Sequence, residues 1–295
     1  MNATTKRLLA YPLSLGIIAA LGWLAFGYRA EADYGTLLSS ASIHAELAAA
    51  IPADSTKSGI LELRARLIRE SYEWLARADR VEADTVDAAQ LRAFLAMTEG
   101  RPGDAAELYR ACRSRADVDA EFLAPLALHE AKALSNAGDF EGALTVLESK
   151  VGSPTPLQTT EREALRVRVL HRLGRESQAI SAAEAMITAG GEGDVACRMA
   201  AELLESMGAY GPAEAGWNKA ETDQEVRSYH LGRLKVRAGD KSEADRLLVS
   251  ALHDRDAEVI RRLENDRRLW SEVVGEERVS ELLASTGEAS AGPGR

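Results

Sequence analysis

His129 followed directly by Glu130 is half of a zinc-hydrolase signature. The full motif needs a second histidine four residues on, so that two imidazoles share one helix face and the glutamate serves as general base. Position 133 is Ala133, and the other histidines are scattered along the chain. Gly190-Gly191-Glu192-Gly193 could cradle a phosphate with its backbone N–H groups, but the Lys-Ser/Thr pair that completes a phosphate loop is missing. A connecting loop is the simpler reading. Cys112 and Cys197 are far apart and form no CxxC pair, which fits small buried apolar residues better than a disulfide or zinc site. No nucleophile-elbow or kinase-type pattern is present. The expectation is a protein without a catalytic residue, cofactor or metal, whose function is binding.

Composition narrows what such a protein is built from. Apolar residues make up 46% of the 295-residue chain, yet aromatics are only 5%, and alanine and leucine dominate. That mixture suits helices packed closely through small side chains. The net charge of −10 argues against a nucleic-acid partner, because phosphate backbones select basic surfaces.

The N-terminus predicts a membrane anchor. Lys6 and Arg7 precede an uncharged run, Leu8 to Tyr28, whose 21 residues match the roughly 20 needed to span a bilayer as a helix. Tyr11 stands near one end, and Trp23 and Tyr28 near the other, where aromatic side chains favour the interface. Gly16 and Ala20 form a small-xxx-small pair suited to contact with another membrane helix. A cleaved signal peptide is the alternative, with Ala30-Glu31-Ala32 as its site, but the apolar run is long and Arg29 interrupts the approach to that site. The positive-inside rule keeps the N-terminus in the cytoplasm and places the bulk of a bacterial chain in the periplasm, tethered to the inner membrane by one pass.

Beyond the anchor the chain repeats. Glycines at 100, 138, 174, 208 and 239 are spaced by 38, 36, 34 and 31 residues. Five residues after each stands an alanine: Ala105, Ala143, Ala179, Ala213 and Ala244. Seven before each is a short side chain: Ala93, Ala131, Val167, Ala201 and Gly232. Nine after come Tyr109, Leu147, Ala183, Trp217 and Leu248. A glycine ends a first helix where φ > 0 is needed, the small residues lie where it crosses a second helix, and the larger residue fills the gap to the next pair.

Ala137-Gly138-Asp139-Phe140-Glu141-Gly142-Ala143 and Met207-Gly208-Ala209-Tyr210-Gly211-Pro212-Ala213 resemble the inter-helix turn of tetratricopeptide (TPR) repeats, and Ala238-Gly239-Asp240-Lys241-Ser242-Glu243-Ala244 resembles it without the aromatic. The resemblance covers residues 84–252. It implies an all-α fold, a right-handed α-solenoid of about five helix pairs preceded by one transmembrane helix. The expected organisation is 1–7 cytoplasmic N-terminus, 8–28 membrane helix, 29–83 membrane-proximal helices and N-terminal cap, 84–252 repeats, 253–285 capping helices and 286–295 disordered tail.

Local signals place helices at Tyr34–Ala50, at a long amphipathic segment marked by Ile60, Leu63, Leu67 and Trp74, and at Asp256–Asn265 and Glu276–Ala284. Thr160 and Glu163 read as a capping box, Pro125 and Pro212 as first-turn prolines, and Val151–Gln158 as a linker.

The resemblance also implies a peptide-binding groove lined by the first helix of each pair. The residues it would place there are Phe94 and Met97, Leu128 and Lys132, Arg168 and His171, Arg198 and Glu202, and Tyr229 and Arg233. The middle of this set is basic, which favours an acidic or carboxylate-ended segment. The asparagines of a chaperone-tail clamp are absent from the matching positions. The chain looks similar to single-pass TPR proteins of the bacterial envelope. That implies a scaffold or assembly factor recruiting a protein partner to an inner-membrane complex, or alternatively a permanent accessory subunit of such a complex, or a self-assembling solenoid.

Overall fold

A computed structural model describes residues 33–115, 117–149, 151–190, 195–220, 222–253 and 256–287. The apolar run 8–28, the site at 30–32, the glycines at 191 and 193 and the tail from 288 onward lie outside the described residues. Among the described residues no helix is long and apolar enough to cross a membrane. They form fifteen α-helices and no strand. The chain divides into two compact units, residues 1–112 and 113–295. That division falls inside the span 84–252 assigned to the repeats.

The first unit holds α1 (Tyr34–Ala49), α2 (Ser58–Val81), α3 (Val86–Thr98) and all but the last residue of α4 (Pro102–Arg113). Helix α1 buries Leu37, Ala41, Ala45 and Ala48, one stripe of small residues that lets α2 approach closely. The stripe α2 turns inward is Ile68, Ser71, Leu75 and Ala78. This is one residue round the helix from the expected set: Leu67 and Trp74 are only half-buried and flank the core. Ser71 is accommodated in the core because its hydroxyl donates to the Ala41 carbonyl at 2.7 Å. Thr85 caps α3, accepting from the Ala88 N–H at 3.2 Å.

The second unit holds α5 (Ala120–Ala137), α6 (Phe140–Glu148), α7 (Pro156–Arg172), α8 (Glu176–Ala189), α9 (Val195–Ser206), α10 (Tyr210–Lys219), α11 (Gln224–Ala238) and α12 (Lys241–Ala251). These are four hairpins of the repeat, and α3–α4 of the first unit is a fifth. After them come α13 (Ala257–Asn265), α14 (Arg267–Val273) and α15 (Glu276–Gly287). Within the second unit α5 touches α7, and α7 touches α9, so successive first helices are neighbours.

The repeat register holds atom by atom. Gly100, Gly138, Gly174, Gly208 and Gly239 have φ of +77, +84, +70, +77 and +76°. At each, the residue after glycine donates its N–H five residues back, as Asp139 does to Leu134 at 3.0 Å and Asp240 to Lys235 at 2.9 Å. This is the Schellman closure, which satisfies the orphan carbonyls at a helix end. All five alanines after the glycines are fully buried, and all five short residues before them are buried. The larger residues nine after the glycines are buried too, including Trp217. Burial pushes the Tyr109 hydroxyl pKa up to about 12.

Some boundaries differ from expectation. Helix α7 starts at Pro156, not after Thr160: the capping box is Thr155 with Gln158, the Thr155 hydroxyl accepting the Gln158 N–H at 3.3 Å while Gln158 Oε1 accepts the Thr155 N–H at 2.9 Å. Thr160, inside the helix, donates its hydroxyl to the Pro156 carbonyl at 3.2 Å. Proline at the first helical position explains the earlier start. Helix α5 likewise begins at Ala120, leaving Pro125 beyond the first turn. The helix α14 had no strong periodic signal in its seven residues.

Candidate functional site

The expected groove residues have diverse surroundings. In the first unit Phe94 packs half-buried on the core of α1–α3. Met97 lines a cavity of about 460 Å³ with Ile51, Pro52 and Arg64. In the second unit Leu128 is buried. Lys132, one turn on, pairs with Glu161 at 2.9 Å. Arg168 is exposed, and His171, also exposed, stands 3.8 Å from Glu176. Arg198 lies 3.6 Å from Glu202 along α9. Lys132, Arg168 and Glu202, each six residues before a repeat glycine, therefore form an accessible charged row on α5, α7 and α9.

At the last hairpin the same register leads elsewhere. Tyr229 is fully buried and cannot line an open groove. The reason is that α13–α15 fold back onto α11: Val259, Leu263 and Trp270 join Tyr229, Val236 and Leu248 in one core cluster. Gly232 makes this possible, since a Cβ there would stand 2.7 Å from the Trp270 ring. The Tyr229 hydroxyl donates to Asp266 Oδ2 at 2.6 Å. Burial, then this carboxylate, pushes its pKa up from the ordinary tyrosine range.

Arg233 connects the hairpin to that cap. It lies 3.0 Å from Glu205 Oε1 on α9 and 3.3 Å from Asp266 Oδ2. His230 stacks on Trp217, with ring centroids 3.8 Å apart. Arg262 Nη1 is 2.9 Å from His230 Nε2. A guanidinium can only donate, so Nε2 accepts and the imidazole proton sits on Nδ1. That nitrogen faces Glu205 Oε2 at 3.5 Å, long for a hydrogen bond.

Above this network lies a cleft of about 640 Å³, walled by the α9–α10 turn, α11 and α13. Its charged side chains are Glu202, Glu205, Arg233, Arg237 and Arg262, with Tyr210 and His230 beside them. Of these, only Glu202 and Arg233 were expected to matter from sequence. Glu205 stands three residues before its glycine, the register of Met97 and His171, and could have been found that way. Arg262 and Asp266 lie in the cap, outside the repeat, where no register points to them.

No family model and no curated protein matches the chain. A solved structure reported as "Functional Characterization of Pseudomonas Aeruginosa pilF" is 16% identical, covers 84% of this chain and 98% of that one, and superposes with a TM-score of 0.45. A score below 0.5 does not establish a shared fold, and the helix-pair architecture stands on the five glycine closures and the burial at their flanks.

Proposed function

We propose that the chain is a protein-binding scaffold or assembly factor, anchored in a bacterial inner membrane by residues 8–28 and facing the periplasm. It recruits a partner to a membrane complex through the first helices of its hairpins. The observation that carries this reading is the row Lys132, Arg168 and Glu202 on neighbouring helices α5, α7 and α9. Directly behind it, Ala131, Val167 and Ala201 are fully buried, so the charges sit on a backbone whose packing holds them in fixed order. A face of this kind, rigid beneath and polar above, suits the side chains of an extended or helical segment.

The test is affinity purification of the full-length protein from mildly solubilised membranes, with mass spectrometry of the co-purifying proteins. Wild type is expected to retain a partner that Lys132→Glu with Arg168→Glu loses. A partner held equally by both would remove the groove reading. A stoichiometric set that survives high salt and ignores the substitutions would identify an accessory subunit instead.

A further inference from the structure

Among the described residues, the cleft beside the last hairpin contains one cation without a partner. Arg233 is held between Glu205 and Asp266, and Arg262 between Glu258 at 2.8 Å and His230 at 2.9 Å. Arg237, exposed in the last turn of α11, has no hydrogen bond or ion pair among the described residues. An incoming anion would meet a free guanidinium beside two others whose positions their own acids fix. Arg233 Nε, buried in the same wall, is a donor without an acceptor.

We propose that this cleft binds a carboxylate of the protein partner, held by Arg237; the proposal rests on the reading of the chain as protein-binding. The volume of about 640 Å³ is within the ~300–1,000 Å³ typical of ligand sites, ample for an acidic side chain or a chain terminus with its neighbours. The ligand is a carboxylate and not a phosphate for an electrostatic reason. Glu202 and Glu205 line the cleft, and a dianion would face both. A planar monoanion can instead lie against the Arg237 fork and accept two parallel N–H donors. Tyr210 also lines the cleft, and a tyrosine hydroxyl can donate to a carboxylate.

A carboxylate can come from a side chain or from a C-terminus, and two probes separate them. Acetyl-Ala-Glu-Ala-amide carries one side-chain carboxylate, and acetyl-Ala-Ala-Ala with a free terminus carries only the main-chain one. Calorimetry on the detergent-solubilised full-length protein is expected to show at least one binding. Arg237→Gln should weaken it about tenfold, the scale of one lost charge-assisted contact. Arg246→Gln, on α12 and outside the cleft, should leave it unchanged. Because Arg237 is exposed and has no ion pair among the described residues, its variant should keep the wild-type melting temperature. Binding of neither peptide, tighter binding of inorganic phosphate than of both, or indifference to Arg237→Gln would overturn the proposal. If the peptides ignore Arg237 while the partner is still lost on reversing Lys132 and Arg168, the cleft proposal falls and the scaffold reading stands. If Arg237→Gln weakens the peptide but no partner is ever retained, the carboxylate site stands, while the scaffold reading and the assignment of that carboxylate to a protein partner fall.

Discussion

Arg168 and Arg233 occupy the same place in their repeats, six residues before the closing glycine, and meet opposite fates. Arg168 on α7 is exposed, with no ionic partner among the described residues. Arg233 on α11 is clasped by Glu205 and Asp266 beneath a cleft. The repeat register sets the direction in which a side chain leaves its helix. What it meets depends on the next element, and for α11 that is a cap of unrelated sequence. One row of equivalent positions therefore yields an open charged face in the middle hairpins and an interlocked polar network at the end.

The largest test of this contrast is to remove what makes the end different. Trp270 is fully buried against Gly232. Trp270→Ala should cost about 3–5 kcal/mol, the range for truncating a core aromatic, read as a lowered denaturant midpoint. Gly232→Ala should cost about 1–3 kcal/mol, because its new methyl would overlap the Trp270 ring. The double variant should cost less than the sum, since the overlap is gone once the indole is removed. Strict additivity would mean that the cap does not rest on Gly232.

Next in size is a comparison inside α5. Glu130 is fully buried and paired with Arg113 at 2.8 Å, whereas Lys132, two residues on, pairs with Glu161 in a half-exposed setting. Glu130→Leu should cost about 3 kcal/mol, the low end for breaking a buried pair because Arg113 keeps some contact with water. Lys132→Leu should cost less than about 1 kcal/mol. Equal effects would mean that burial does not separate the two pairs.

A smaller effect is expected at Asp266, which accepts the Tyr229 hydroxyl and faces Arg233. Asp266→Ala should destabilise by about 1–2 kcal/mol, because Tyr229 is left buried with its donor unpaired. Arg168→Gln should fall within about 0.5 kcal/mol of wild type, as an exposed substitution does. A melt in which Arg168→Gln is the worse of the two would reverse the reading of which end is interlocked.

These residues also show what was legible in advance. The hairpins were, because a glycine at φ > 0 and alanines at a helix crossing are demanded by backbone geometry, and that demand recurs five times. Trp270 and Asp266 were not: they act on α11 from a short helix with no repeat and no long periodic pattern. Tyr229 illustrates the consequence, since its register alone suggests a groove and only the cap reveals a core. The start of α7 was misplaced for a local reason: two capping boxes are written in adjacent residues, and Pro156 favours the first. The one-residue offset in α2 has a similar origin, since Leu67 and Ile68 are both apolar and only the partner helix α1 decides which turns inward.

The smallest effect concerns how the cap itself is held. Glu276 at the start of α15 accepts from Arg267 Nε at 2.8 Å, and Ser280 donates to it at 3.2 Å. The Arg267 hydrogen bonds, then one from Ser271, lower the Glu276 pKa to about 2. A folded-state carboxyl pKa below its unfolded value makes the folded protein bind fewer protons than the unfolded one between the two values. The contribution is thus fully present above the ordinary glutamate range near 4.5 and is lost as the pH falls toward 2. Because the group is exposed, salt should weaken the effect. Wild type should therefore lose its stability advantage over Glu276→Gln as the pH drops from 5 toward 2, and the gap at pH 5 should narrow in high salt. A pH-independent gap would mean that Glu276 supports α15 through shape or hydrogen bonding that a neutral amide lacks, and not through its charge on Arg267.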